Sequence, residues 1–221
     1  VRPWLPELSF FDDAVPHSAA LNMAIDEALL GIIPRPVLRI YRWSRPAVSF
    51  GCFESWLPIQ AAHPAREPVR RWTGGGIVLH GDDLTYSLLV PAPWGSAGIS
   101  PLVSYEKIHG ALCAALAEAG IAATLASTSP EKKSRACFEN PVIHDVLVAG
   151  EKIAGAAQRR TRAGLLHQGS IQLPGLPPSF GFRLAAQLSA AVDARQFDIA
   201  SAADILATRK YATRAWLERR P

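Results

Sequence analysis

The chain is poor in cysteine, has no long apolar run and carries no strong excess of one charge. Its three cysteines, Cys52, Cys113 and Cys137, are odd in number and none stands in Cys-x-x-Cys spacing. That argues against a disulfide framework or a zinc site and fits a reducing, cytoplasmic setting. No apolar run approaches the ~20 residues that a membrane span needs. The first residues lack the basic segment and apolar core of a signal peptide. No basic patch interleaved with aromatics points to nucleic acid, and His80 and Asp82 are too isolated for a metal site. There is no internal repeat. What remains is globular: 221 residues, 49% apolar and 19% charged, with a net charge of +4 that hints at an acidic partner. The length predicts one domain over 1–221, with a helical extension from about 176 and no C-terminal accessory domain.

Its 18 prolines and 16 glycines divide the chain into many short elements. Val1 to Pro16 is punctuated by proline and reads as a surface wrap. Ser18 caps a helix with Leu21, Ile25, Leu29 and Ile32 near one face and Asn22 and Asp26 on a solvated one. Val37–Trp43 and Ala47–Phe53 read as strands around the turn Ser44-Arg45-Pro46. A short helix over 55–65 and strands over 69–72, 77–79 and 84–90 follow. Ser104 reads as the N-cap of a helix ended by Gly120, with Ile108, Leu112 and Leu116 on its apolar stripe. A strand over 143–149 turns at Ala149-Gly150-Glu151 into a return strand at Lys152, and 164–173 is another. Alanine-rich helical segments run over about 183–193 and 199–219. This irregular alternation predicts an α+β fold with a mixed, largely antiparallel sheet packed against helices.

Polar chemistry gathers at Arg70 to Pro91. Gly74, Gly75 and Gly76 follow Arg70-Arg71-Trp72-Thr73 and precede an apolar strand, with His80, Asp82, Asp83 and Ser87 beyond it. Glycines let the backbone approach a ligand, and successive N–H groups in such a turn can cradle a phosphate or a carbonyl oxygen. Asp82 and Asp83 read as turn residues. Lys152 stands beside the small residues Gly155-Ala156-Ala157, which admit a bound chain or a neighbouring backbone. Cys137 lies in a polar loop closed by Pro141, outside any apolar stripe, whereas Cys52 and Cys113 fall in core positions.

Arg70-Arg71-Trp72-Thr73-Gly74-Gly75-Gly76, the Val78-Leu79-His80 strand and Tyr86-Ser87 resemble the hallmark of the lipoate–protein ligases and octanoyltransferases, relatives of the biotin–protein ligases. Asn22 to Glu27, Leu38 to Trp43, Ser49-Phe50-Gly51, Gly150 to Gln158 and His167 to Ile171 resemble further family segments in the family's order. The resemblance covers roughly 18–175 and implies a biotin/lipoate protein ligase-like fold. It implies Cys137 and Lys152 as catalytic residues, because the Cys137 segment is similar to the cysteine loop of one octanoyltransferase branch. It places Arg71, Thr73, Gly74, Gly75, Gly76, His80, Gly155, Ala156 and His167 at the substrate; a structural role is an equal alternative for His80 and His167.

The leading expectation is transfer of an octanoyl group from acyl carrier protein, through an acyl-Cys137 thioester, to a lysine of a lipoyl domain. The acceptors implied are lipoyl domains of 2-oxoacid dehydrogenases or the glycine cleavage H protein. No cofactor and no metal is expected for that route. The first alternative is lipoate ligation through an adenylate, using ATP and Mg, with Cys137 a bystander and an accessory subunit encoded separately. The triple glycine leans toward the ligase, since the related cysteine transferases often carry Arg at the third position. The second alternative is a non-catalytic binder of lipoyl domains.

Overall fold

Leu38, Leu88 and Leu165 point to one side of a sheet, and their neighbours Val37, Leu89 and Leu166 to the other. The alternation is that of strands covered on both faces. The structure, a computed structural model, describes residues 3–94, 99–128 and 141–219. In chain order the elements are β1 (Leu8–His17), α1 (Ala19–Ile32), β2 (Val37–Trp43), β3 (Ala47–Phe50), α2 (Trp56–Ala62), β4 (Glu67–Arg70), β5 (Ile77–His80) and β6 (Leu84–Pro91). They continue as α3 (Pro101–Glu118), β7 (Thr124–Leu125), β8 (Val146–Val148), β9 (Glu151–Arg160), β10 (Gly164–Ile171), α4 (Phe180–Leu188), β11 (Val192–Ala194), α5 (Ala200–Leu206) and α6 (Arg214–Leu217).

Among the described residues one sheet runs β11-β1-β2-β6-β10-β9-β8-β7 and a smaller one β4-β3-β5. The pairs among β11, β1 and β2 are parallel and the rest of the large sheet is antiparallel. The expected α+β fold with a mixed, largely antiparallel sheet is what forms. Helices α3 and α4 cover one face of the large sheet, and α1 and α5 the other.

Several local readings change. The segment expected to wrap the surface is β1, paired along β2; its Pro16 falls where the register shifts, at the strand end, so the missing N–H breaks no central ladder. Helix α3 begins a turn earlier than Ser104. Ser100 is the cap, accepting from the Val103 N–H at 3.2 Å, and Pro101 takes a first-turn position where no N–H is needed. Within 183–193, expected to be helical, the helix ends at Leu188 and β11 adds a parallel strand beside β1.

The polar side of α1 is not solvated. Asn22 and Asp26 are fully buried, because Arg39 of β2 reaches them from beneath. Its guanidinium donates to Asp26 Oδ1 at 2.8 Å, Asn22 Oδ1 at 2.8 Å and Asp13 Oδ2 at 2.7 Å. A buried charge needs such partners.

Candidate active site

The glycine loop is the link between β4 and β5. Gly75 sits at φ +81, in the left-handed region. A Cβ at Gly51, just after β3, would fall 2.0 Å from the Gly75 carbonyl oxygen, so the loop lies directly on that backbone. Arg71 holds it: the guanidinium donates to the carbonyls of Gly74 at 2.8 Å and Gly76 at 2.9 Å, and to Ser49 Oγ at 2.8 Å. In a trans peptide C=O and N–H point oppositely, so the Gly75 N–H faces away from Arg71.

Behind Arg71 runs a polarised chain. His80 lies 2.7 Å from Ser49 Oγ through Nε2 and 2.8 Å from Asp83 Oδ2 through Nδ1, and stacks on Trp43 at 4.1 Å. Burial pushes the His80 pKa down against the pull of Asp83. Burial pushes the Asp83 carboxyl up, but His80, Ser170 and the Gly81 N–H outweigh it and hold it below the ordinary value. Hence Nδ1–H donates to Asp83, Ser49 donates to Nε2, and Arg71 donates to Ser49. Asp83, expected to be a turn residue, is the buried anchor and also accepts from Thr85 and Ser170.

Thr73 is fully buried and donates to Gln168 Oε1 at 2.8 Å, while Gln168 donates to Asp26 at 2.7 Å. The loop is therefore tied to α1 through β10. Arg70 is structural: its guanidinium donates to the carbonyls of Cys52, Glu54, Trp216 and Leu217.

Two cavities meet at Gly75, Ala156 and Ala157. The inner one, narrow at ≈ 30 Å³, runs between the sheets to Met23, Tyr41, Trp43 and Val78, with His80 and Ser170 on its wall. The outer one, ≈ 350 Å³, opens between Gly74, Leu102, Tyr105 and Val142. Lys152 lines neither cavity; it lies behind Gly155, a wall residue of the inner one. Its Nζ is 2.7 Å from Asp145 Oδ2, with the two side chains 2% and 0% exposed. A Cβ at Gly155 would sit 2.6 Å from Lys152 Cε and 2.8 Å from Nζ, so the ammonium occupies the space that this glycine leaves.

The site residues expected from sequence divide as follows. Arg71, Gly75, His80, Gly155 and Ala156 border the inner cavity, Gly74 the outer, and Gly76 and Thr73 belong to the loop's supports. His167 does not reach the cavities: β10 turns it to the α3 face, against Tyr86, Tyr105 and His109. Burial holds its pKa well below the ordinary value, and it bonds Gln158 and Tyr86. Cys137 lies outside the described residues. Burial pushes the Cys113 thiol up to about 11, away from thiolate chemistry. Sequence reasoning missed Asp145, Tyr105, Ser49 and Gln168. Asp145 carried the one usable signal, an acidic residue inside an apolar strand pattern next to the lysine hairpin.

Residues 18–175 match the lipoyl protein ligase A/B catalytic domain family. The octanoyltransferase LipM of Oceanobacillus iheyensis is 38% identical over 173 residues, covering 74% of this chain and 63% of that protein. The chain thus spans less than two thirds of that curated relative. A putative lipoate protein ligase from T. acidophilum, solved with bound lipoic acid, superposes with a TM-score of 0.74 at 19% identity, covering 97% of this chain and 99% of that one. Lipoate-protein ligase A bound with ATP superposes with a TM-score of 0.74 at 20% identity, covering 97% and 98%. At these identities the two structures establish the shared fold.

Proposed function

This chain belongs to the lipoyl protein ligase A/B catalytic domain family, and from that membership we propose that it is an octanoyltransferase. It moves an acyl chain from acyl carrier protein to a lysine of a lipoyl domain through an acyl-cysteine intermediate. The observation that carries this reading is the buried Lys152 ammonium, paired with Asp145 and lodged in the space of Gly155, beside the junction of an apolar inner cavity and an open outer one. The apolar lining of the inner cavity, not its volume, suits an acyl chain. The outer one suits the reach of a protein-borne arm or lysine.

In this reading the Cys137 sulfur gives up its proton and attacks the thioester carbonyl, the bond to the carrier sulfur breaks, and the carrier thiol leaves with that proton. The acceptor amine then attacks the acyl-Cys137 carbonyl, the amide forms, and the amine's surplus proton passes to the departing cysteine. Each step builds negative charge on the carbonyl oxygen. The Lys152 ammonium and the Gly75 N–H are the donors disposed to meet it. The names of the relatives support octanoyl transfer over ligation, and a thioester donor is already activated, so the reaction needs no ATP, Mg or other cofactor.

The test is incubation with octanoyl-acyl carrier protein and a lipoyl domain, and separately with free octanoate, with and without ATP. Octanoylated lipoyl domain from the thioester alone is the expected product. Modification only with free acid and ATP would replace this reading by ligation, and binding without any transfer would replace it by a non-catalytic role.

A further inference from the structure

Helix α3 lies outside every motif of the chain, yet one of its side chains reaches the Lys152–Asp145 pair and another the residue before Asp145. Tyr105 and His109 are four residues apart and so share a face; their rings lie 4.3 Å apart, with the His167 ring 5.5 Å from each. Pairing of β8 with β9 reaches only Ala154, opposite Val146, so the next edge group of β9 has no strand partner there. Tyr105 supplies one. Its hydroxyl accepts from the Ala156 N–H at 2.8 Å and donates to Asp145 Oδ1 at 2.7 Å. Ala156 lines both cavities, so this hydroxyl joins the cavity wall to the carboxylate that holds Lys152.

His109 acts one residue earlier. His144 has φ +69, a left-handed conformation uncommon for a residue with a Cβ, though histidine takes it more readily than most. Its carbonyl accepts from His109 Nδ1 at 2.7 Å, and its N–H donates to the Ala126 carbonyl at 2.8 Å. That turn sets the next residue, Asp145, whose Oδ2 takes both the Val142 N–H at 2.8 Å and the Lys152 ammonium at 2.7 Å. With Nδ1 as donor, His109 is the neutral Nδ1–H tautomer. Its Nε2 is buried with no partner among the described residues. A left-handed turn and a buried imidazole nitrogen with no partner among the described residues are both uncommon, and such features gather at functional sites.

We propose that Tyr105 and His109 are positioning residues for acyl transfer: α3 holds the 144–145 turn and the Ala156 edge so that Asp145 presents the Lys152 ammonium to the cavity junction. The kinetic part of this inference rests on the acyltransferase reading above.

Tyr105→Phe, His109→Leu and His109→Asn separate this role from packing. Leucine fills the imidazole's volume without a donor, whereas asparagine is smaller but keeps an N–H near Nδ1. Tyr105→Phe and His109→Leu should each lower kcat by about 10- to 100-fold, the scale of a misplacement of about 1 Å, and leave KM for both protein substrates nearly unchanged. His109→Asn should recover most of kcat. A packing role would rank leucine above asparagine, and that order would overturn the proposal.

A second readout needs no acyl chemistry. The Lys152 ammonium, protected by burial and pairing, should give a resolved NMR signal in 15N-lysine-labelled wild type and in His109→Asn, and lose it in Tyr105→Phe and His109→Leu. An unchanged signal in the last two variants would also overturn the proposal. If wild type transfers nothing while the NMR pattern holds, the acyltransferase reading falls and the positioning role stands. Should His109→Leu fail to fold, Tyr105→Phe carries the comparison alone.

Discussion

At the scale of single residues the site depends on one missing methyl. A Cβ at Gly155 would strike the flexible end of Lys152 and press on Asp145 Oδ1 at 3.2 Å, not on backbone, so Gly155→Ala is expected to shift the ammonium and its carboxylate together and leave the fold in place. We expect kcat to fall by up to about 100-fold with little change in melting temperature; wild-type turnover would show that the position of Nζ is immaterial. Lys152→Ala should abolish transfer and also weaken the fold. It strands the fully buried Asp145 carboxylate, at a cost of about 3–5 kcal/mol. Lys152→Met combined with Asp145→Leu should regain most of that stability and none of the activity, as denaturant melts and turnover measured together would show. Residue by residue, Lys152 and the glycines were legible because unusual residue types cluster there. Tyr105 was not, because a tyrosine on a helix reads as ordinary until the fold brings it 2.7 Å from Asp145, whose own signal, an acidic residue in an apolar pattern, went unused.

Among elements, the decisive contact is between α1 and β2. The apolar stripe of α1 was read correctly at Ile25 and Leu29, but Ile32 is 61% exposed and the polar side faces inward. Periodicity reports which residues are apolar; it cannot report that a strand arginine will pull Asn22 and Asp26 into the core. From Asp26 the chain of bonds continues through Gln168 to Thr73, so α1 supports the glycine loop from a distance. Arg39→Ala should cost about 3–5 kcal/mol, because it leaves Asp13 and Asp26 buried without their counter-charge. Arg39→Lys should rescue little of it, since one ammonium cannot reproduce the fork that binds both carboxylates. Equal stability of the lysine variant and wild type would refute that account. The β11 strand and the early start of α3 escaped the sequence reading for a simpler reason. Short edge strands carry too few residues for a period, and Ser100 and Ser104 are both capping residues in type.

For the whole molecule, three neutral imidazoles make stability depend on pH. Burial lowers the pKa of His80, His109 and His167, that of His109 to about 4. Above the unfolded value of 6.5 both states are neutral and the contribution is fully present. As pH falls from there toward about 4, the unfolded chain takes up a proton at His109 that the folded one refuses, and stability declines by up to about 1.4 kcal/mol per pH unit for that group, with His80 and His167 adding losses of the same sign. Urea midpoints across that range should fall more steeply for wild type than for His109→Asn; parallel slopes would mean that His109 titrates alike in both states. The large mixed sheet was legible from the alternation of apolar residues, and the family from its ordered motifs. The assembly of the site at the meeting of two sheets was not, since it joins β3, β5, β9 and α3 from distant parts of the chain. The central claim is covalent transfer, and its most direct measurement is the mass of the protein after mixing with octanoyl-acyl carrier protein alone. A single octanoyl adduct, mapped to Cys137, released by hydroxylamine and passed to a lipoyl domain, is the predicted result. An adduct on Cys52 or Cys113, or full-rate transfer by Cys137→Ala, would contradict it.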